Sequence, residues 1–186
     1  MPRHAMRCTV GCTLLALAVG ATARAQSPAT PDPTANPLGA AIARGYNGAK
    51  SYVLKAADEM PEGNYSWRPT PQVRTYGELL GHVAAGEYLF CSAAKGEPNP
   101  KGEDAPHGPT DKASIASQLQ AAFAYCDAVY AASRDGALTD SVSMFGHKTI
   151  RFAPLAANVA HLNEHYGNIV VYLRLKGLVP PSSMKK

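Results

Sequence analysis

The chain has 186 residues, with 18 Lys+Arg against 14 Asp+Glu, a formal charge of +4, and four cysteines. Three of the basic residues and two of the cysteines fall in the first 25 positions, so the other 161 residues carry a balance of only +1. That near-neutral balance excludes a nucleic-acid footprint built on a basic face. No apolar run is long enough to cross a bilayer.

Residues 1–25 have the pattern of a secretory signal peptide. Arg3, His4 and Arg7 form a basic start, an apolar and small-residue run follows from Thr9 to Gly20, and Ala23-Arg24-Ala25 is a small-x-small cleavage site. The mature chain would begin at Gln26 and is expected to be exported, either periplasmic or secreted, with no membrane partner. Cys8 and Cys12 would leave with the signal. Cys91 and Cys126 remain, an even number for an oxidising compartment, and a disulfide between them is expected. Residues 26–37, with four prolines, read as a flexible leader.

Four helices follow. Residues 38–60 place apolar side chains at 38, 42, 46, 49, 53, 54 and 57, close to a 3.6-residue period, and Pro61 and Gly63 end the run. The loop at 64–74 holds the single tryptophan, Trp67, which is expected to pin that loop to the core. A second helix spans 75–94. It opens on a capping box, Thr75-Tyr76-Gly77-Glu78, and Leu79, Leu80, Val83, Phe90 and Cys91 form its apolar face. His82 lies among them. Gly81 and Gly86 flank it at a cost of up to about 1 kcal/mol each relative to Ala, which suggests close helix approach or room for a ligand.

Residues 95–111 form a Gly/Pro-rich loop in which His107 is expected to be solvated. A third helix spans 112–134, with Ile115, Leu119, Ala122, Phe123, Cys126, Val129 and Tyr130 at helical spacing. Residues 135–153 alternate instead: Val142, Met144, Ile150 and Phe152 surround Phe145-Gly146-His147-Lys148, the pattern of a short β-hairpin or a folded-over loop. The fourth helix runs from Pro154 to about Lys176, and Gly177 sits at its C-cap. The fold class is all-α: a four-helix bundle with a short hairpin or loop before the last helix.

Chemistry concentrates in the fourth helix. His161 and His165, at i and i+4 in His161-Leu162-Asn163-Glu164-His165, lie one turn apart on one face and can reach a single metal ion. They share a polar stripe with Asn158, Asn168 and Tyr172, whose amides could hold the free ring N–H groups. His82 is the best candidate for a third ligand, with His147 as a rival. The run also matches H-x-x-E-H, a zinc-peptidase spacing, but no Asp or Glu follows Glu164 to complete that ligand set. Three imidazoles leave coordination positions open, where an ion can lower the pKa of bound water to about 7, activate a thiolate or polarise a carbonyl. Tyr46, Glu78, Glu87, Asn158, Glu164 and His147 are candidate pocket residues without assigned roles.

Several stretches taken together carry a family resemblance. They are Ala57-Asp58-Glu59-Met60-Pro61, Trp67-Arg68-Pro69, Glu78-Leu79-Leu80-Gly81-His82-Val83, His161-Leu162-Asn163-Glu164-His165-Tyr166-Gly167, Tyr172-Leu173-Arg174-Leu175, and Gly177-Leu178-Val179-Pro180-Pro181-Ser182. In order and spacing the chain resembles the DinB-like (YfiT-like) family of metal-binding four-helix bundles over residues 38–182. The resemblance implies a bundle, often a homodimer, with a divalent ion on His82, His161 and His165: Zn or Ni first, Fe or Mn as alternatives. It implies transfer or isomerisation reactions that use low-molecular-weight thiols, while the open metal positions add hydrolysis of a small-molecule substrate as the other expectation. A non-catalytic bundle that binds a metal or a small ligand is the alternative.

Overall fold

The computed structural model describes residues 36–102 and 108–184, all within one unit that spans Asp32–Lys186. The signal peptide, most of the leader and His107 lie outside the described residues. Four helices carry the fold: α1 (Pro37–Glu59), α2 (Tyr76–Lys95), α3 (Lys112–Ala132) and α4 (Phe152–Leu175). A two-stranded hairpin, β1 (Ser141–Met144) and β2 (His147–Ile150), precedes α4. Among the described residues, no helix is long and apolar enough to cross a membrane.

The helix ends follow from local chemistry. Pro37 opens α1, and the Asp135 carboxylate accepts from the backbone N–H groups of Leu38 and Gly39 at 3.2 and 2.8 Å. Those N–H groups have no partner inside the helix, so an acceptor from a distant loop both caps α1 and ties it to the end of α3. The expected capping box of α2 is present: Thr75 Oγ1 accepts from Glu78 N, and Thr75 N donates to Glu78 Oε2. Gly96, at φ 75°, ends α2 in the left-handed conformation that glycine adopts without steric cost. α4 begins at Phe152, two residues before the expected proline. Pro154 therefore sits within the first turn, where its missing N–H would have had no helical partner.

α2 packs against α3 and α4, and α1 packs against the same two helices. α1 and α2 are thus diagonal, as are α3 and α4, which explains why a long loop and a hairpin make those connections. Tyrosine hydroxyls stitch the interior to backbone carbonyls. Tyr46 donates to Phe123 O, Tyr65 to Ala57 O, Tyr76 to Ala56 O and Tyr130 to Leu155 O. Each ring thereby buries apolar area while its one polar atom stays bonded. Trp67 packs edge-on against Tyr172, with the Lys176 ammonium 3.7 Å from its ring centre, so it pins its loop to α4 as expected.

The alternating stretch before α4 is a true hairpin, paired Ser141↔Ile150 through Met144↔His147. Phe145 and Gly146 make its two-residue turn, both at positive φ (52° and 77°). Cys91 on α2 and Cys126 on α3 form a disulfide, with Cα atoms 5.5 Å apart and both residues fully buried. A covalent link across 35 residues restricts the unfolded chain and is worth roughly 3–4 kcal/mol in the chain-entropy model. The Cys91→Ala/Cys126→Ala double variant should lose about that much stability, read as a lower urea midpoint with helicity retained in buffer. An unchanged midpoint would mean that packing alone holds α2 to α3.

Candidate metal centre

His82 stands midway along α2, and Gly86 and Phe90 follow it at one-turn intervals on the same face. His161 and His165 face it from α4. The His161 ring fits between the two helices here because Gly86 has no side chain. A Cβ at that position would lie 2.4 Å from Cε1 of His161 and 2.9 Å from its Nδ1. The His161 ring occupies that space, with the Phe90 ring centre 5.2 Å away.

The three Nε2 atoms converge. His161 Nε2 is 3.3 Å from His82 Nε2 and 3.0 Å from His165 Nε2, and all three lie within 4.8 Å of one another. A neutral imidazole nitrogen offers either one N–H or one lone pair, so one Nε2 between two others is poorly served by hydrogen bonding alone. A shared cation serves all three. With Zn–N bonds of about 2.0–2.1 Å, two ligand nitrogens stand about 3.3 Å apart at a tetrahedral angle and about 2.9 Å apart at a right angle. The two separations about His161 match these values, so the donor set fits a divalent ion.

Burial and neighbouring charge keep the His161 and His165 rings in the ligand form. Burial, then the neighbouring His165, His82 and Arg74, pushes His161 down to about 3. Burial also lowers His165, which is 6% exposed, and Arg74 adds to this while Glu164 opposes it. A neutral imidazole is the form that binds a metal. The Nδ1 atoms of His161 and His165 are buried without a hydrogen-bond partner. The expected amide support is therefore not made. Asn168 is exposed, and Asn158 turns to a different cluster.

That cluster lies on the disulfide side of α4. Asn158 Nδ2 donates to Glu87 Oε2 at 3.2 Å and lies within reach of Tyr130 Oη, at 3.4 Å, and of both cysteine sulfurs. Glu87 is completely buried, and its Oε1 and Asn158 Oδ1 lack partners. Burial pushes the Glu87 carboxyl up to about 8; the Asn158 amide and Lys50 pull it down, and Asp127 pushes it up. Protonation would convert one acceptor into a donor, in a cluster that has acceptors to spare. Glu87 is thus a feature of the core next to the site, and nothing in its spacing announces a neutral acid.

The other sequence candidates separate cleanly. His147 is exposed at the start of β2, outside the histidine cluster, and it is His82 that the fold brings to His161 and His165. Tyr46 is a core ring stacked on Tyr130 at 4.0 Å. Glu78 serves the α2 cap and pairs with Arg68. Glu164 lines a cleft of about 530 Å³ that opens over the histidines, together with Arg74, Leu89, Phe90, Asn99 and Lys101. Sequence reasoning missed Arg74 and Lys101, which sit in loops without periodicity.

Residues 46–169 match the model of a family described as the DinB superfamily. Comparison with curated proteins finds no match. Among solved structures, the chain is similar to a DinB-like protein from Bacillus cereus, at 22% identity and TM-score 0.64, over 75% of this chain and 93% of that one. It is also similar to a DinB-like protein from Bacillus subtilis, at 19% identity and TM-score 0.64, over 78% and 99%. At these identities the likeness is one of fold.

Two outcomes follow from the geometry. In an open helix, Gly→Ala stabilises by up to about 1 kcal/mol. Gly86→Ala should instead destabilise by about 1–3 kcal/mol, because its methyl overlaps the His161 ring; a rise in the thermal midpoint would refute the cradle. Glu87 binds its proton more tightly folded than unfolded, so its contribution is full below about 4.5 and is lost as pH rises to about 8. Carboxylates lowered by the fold, such as Glu78, act at lower pH and with the opposite sign. Urea titrations should show the stability of the wild type relative to Glu87→Gln falling across that window; His161 and His165, lowered by the fold, act with the opposite sign below about 6.5 and cancel in that difference. Parallel curves would show that Glu87 stays ionised in the core.

Proposed function

The chain belongs to the DinB superfamily, and from that premise we propose that His82, His161 and His165 hold one divalent metal ion in an exported metal-dependent enzyme. The observation that carries the reading is the convergence of three Nε2 atoms, at 3.0 and 3.3 Å, on the floor of an open cleft. When bound, the ion supplies Lewis-acid chemistry. The reaction class is hydrolysis or transfer of a thiol or other group on a small molecule. Zn or Ni suits three imidazoles best, with Fe or Mn as alternatives.

The residues of the chain divide the remaining work. His161 and His165 come from one helix and His82 from another, so a ligand set forms only when α2 and α4 are in register. Phe90 and Leu89 line the apolar side of the cleft and shed water from it. Glu164 stands on the rim, where a carboxylate can accept a proton from a substrate that enters. Export is supported by the pattern of residues 1–25 and by the buried Cys91–Cys126 disulfide, a bond that persists in oxidising compartments.

Elemental analysis tests the reading. The mature chain from Gln26, prepared without chelator or histidine tag, should carry about one ion. His147→Ala should carry the same, while His82→Ala and His161→Ala should retain a tenth or less. No bound ion in the wild type after incubation with Zn or Ni would overturn the proposal. So would equal retention in the His82→Ala and His161→Ala chains.

A further inference from the structure

Four cations among the described residues form ion pairs, and the two that line the cleft are among those that do not. Lys50 is paired with Asp127 at 2.6 Å, Arg68 with Glu78, Lys95 with Glu97 and Arg151 with Asp140. Arg74 and Lys101, the two cations that line the cleft, have no carboxylate partner among the described residues. Glu164 is the one acid among the lining residues, so these side chains leave a surplus of one positive charge over the histidines. Arg74 is close enough to depress both His161 and His165.

Both cations stand on held backbone. The Arg74 carbonyl accepts from the Tyr172 hydroxyl at 2.5 Å, which ties the segment before α2 to α4. Lys101 rides a turn closed on Asn99: Lys101 N donates to Asn99 Oδ1, Gly102 N to Asn99 O, and Asn99 Nδ2 to Gly102 O. The Lys101 ammonium lies 5.3 Å from the centre of the Tyr88 ring, an attraction that orients it without neutralising it.

The cleft also has an apolar wall. Leu89 and Phe90 line it, and Phe145 packs edge-on against Phe90 with ring centres 6.3 Å apart. Phe145 is 64% exposed and holds φ at 52°, a conformation that disfavours bulky residues. Its φ belongs to the hairpin turn, and its ring supports Phe90 from behind the wall. The cleft volume, about 530 Å³, suits a small molecule.

We propose that this cleft takes a small organic monoacid, its carboxylate held by Arg74 and Lys101 and its apolar body laid on Leu89 and Phe90. The inference rests on reading the cleft as the working site and gives that site its substrate class. A guanidinium offers two parallel N–H groups to a carboxylate, and the ammonium adds a second, movable charge. One carboxylate can engage both cations at once, and the wall selects against a bare inorganic anion.

Calorimetric titration with benzoate, benzyl alcohol and inorganic phosphate tests it, on zinc-loaded and on chelator-stripped mature protein. Metal content and thermal midpoint are read on the same samples. Benzoate should bind at least tenfold more tightly than benzyl alcohol or phosphate. Arg74→Ala and Lys101→Ala should each weaken benzoate fivefold or more, and Arg74→Lys should recover part of the loss. Benzoate binding that equals benzyl alcohol, that phosphate matches, or that ignores both alanine substitutions overturns the inference. A chain that holds one ion yet is indifferent to benzoate rejects this inference alone. A chain that holds no ion yet binds benzoate through Arg74 and Lys101 rejects the metal reading and keeps this one.

Discussion

An imidazole can sit between two packed helices only where the facing position leaves room for it, and between α2 and α4 Gly86 leaves that room. The His161 ring lies where a Cβ at Gly86 would be. Once α4 is seated there, the rest of the site follows from helix geometry. His165 is one turn further along α4, and His82 and Phe90 are one turn either side of Gly86 on α2. A shift of α4 by one residue would carry the imidazoles of His161 and His165 off the face that meets His82.

α2 is held from both sides. Toward α3 it is bonded covalently through Cys91 and Cys126, and Cys126 Sγ also approaches Glu87 O at 3.2 Å. Toward α4 it is held by the His161 contact and by Asn158 on Glu87. A ligand set split between two helices needs this support, because tenths of an ångström separate a fitting site from a loose one. The interior that provides it is not uniformly apolar. A disulfide, a carboxyl, an amide and a tyrosine hydroxyl share one region of the core, and their mutual contacts limit how the helices can slide.

The loops have a different task. Arg74 enters the cleft from the segment that precedes α2, and Lys101 from the turn after it. Helices place the histidines with the precision that metal binding demands, while loops place charges, which act over longer distances and tolerate looser positioning. The Phe145-Gly146 turn adds an aromatic edge from the hairpin. Precise and permissive interactions are thus assigned to rigid and to adaptable parts of the chain.

Much of this was legible in the residues alone, because the signals are local. The 3.6-residue period, the Thr75–Glu78 box, the alternation around Phe145-Gly146 and the prolines and glycines at helix ends each depend on neighbours a few positions away. The His161–His165 pair is legible for the same reason. Which histidine completes the set was not local. His82 and His147 were both open, and the choice depends on how far α4 is rotated and displaced along α2, which the contact of Gly86 with His161 decides. The same holds for Asn158, which the periodicity put on the histidine stripe and the packing turned to Glu87. Arg74 and Lys101 carry no pattern at all; only the path of two loops brings them to one cleft. The sequence by itself determined the helices, their caps and the paired histidines, since those are set within a turn of chain. The tertiary structure decided which histidine meets the pair, the burial of the Glu87 carboxyl and the cations of the cleft, since each arises from groups that are distant in sequence and meet only when the helices pack.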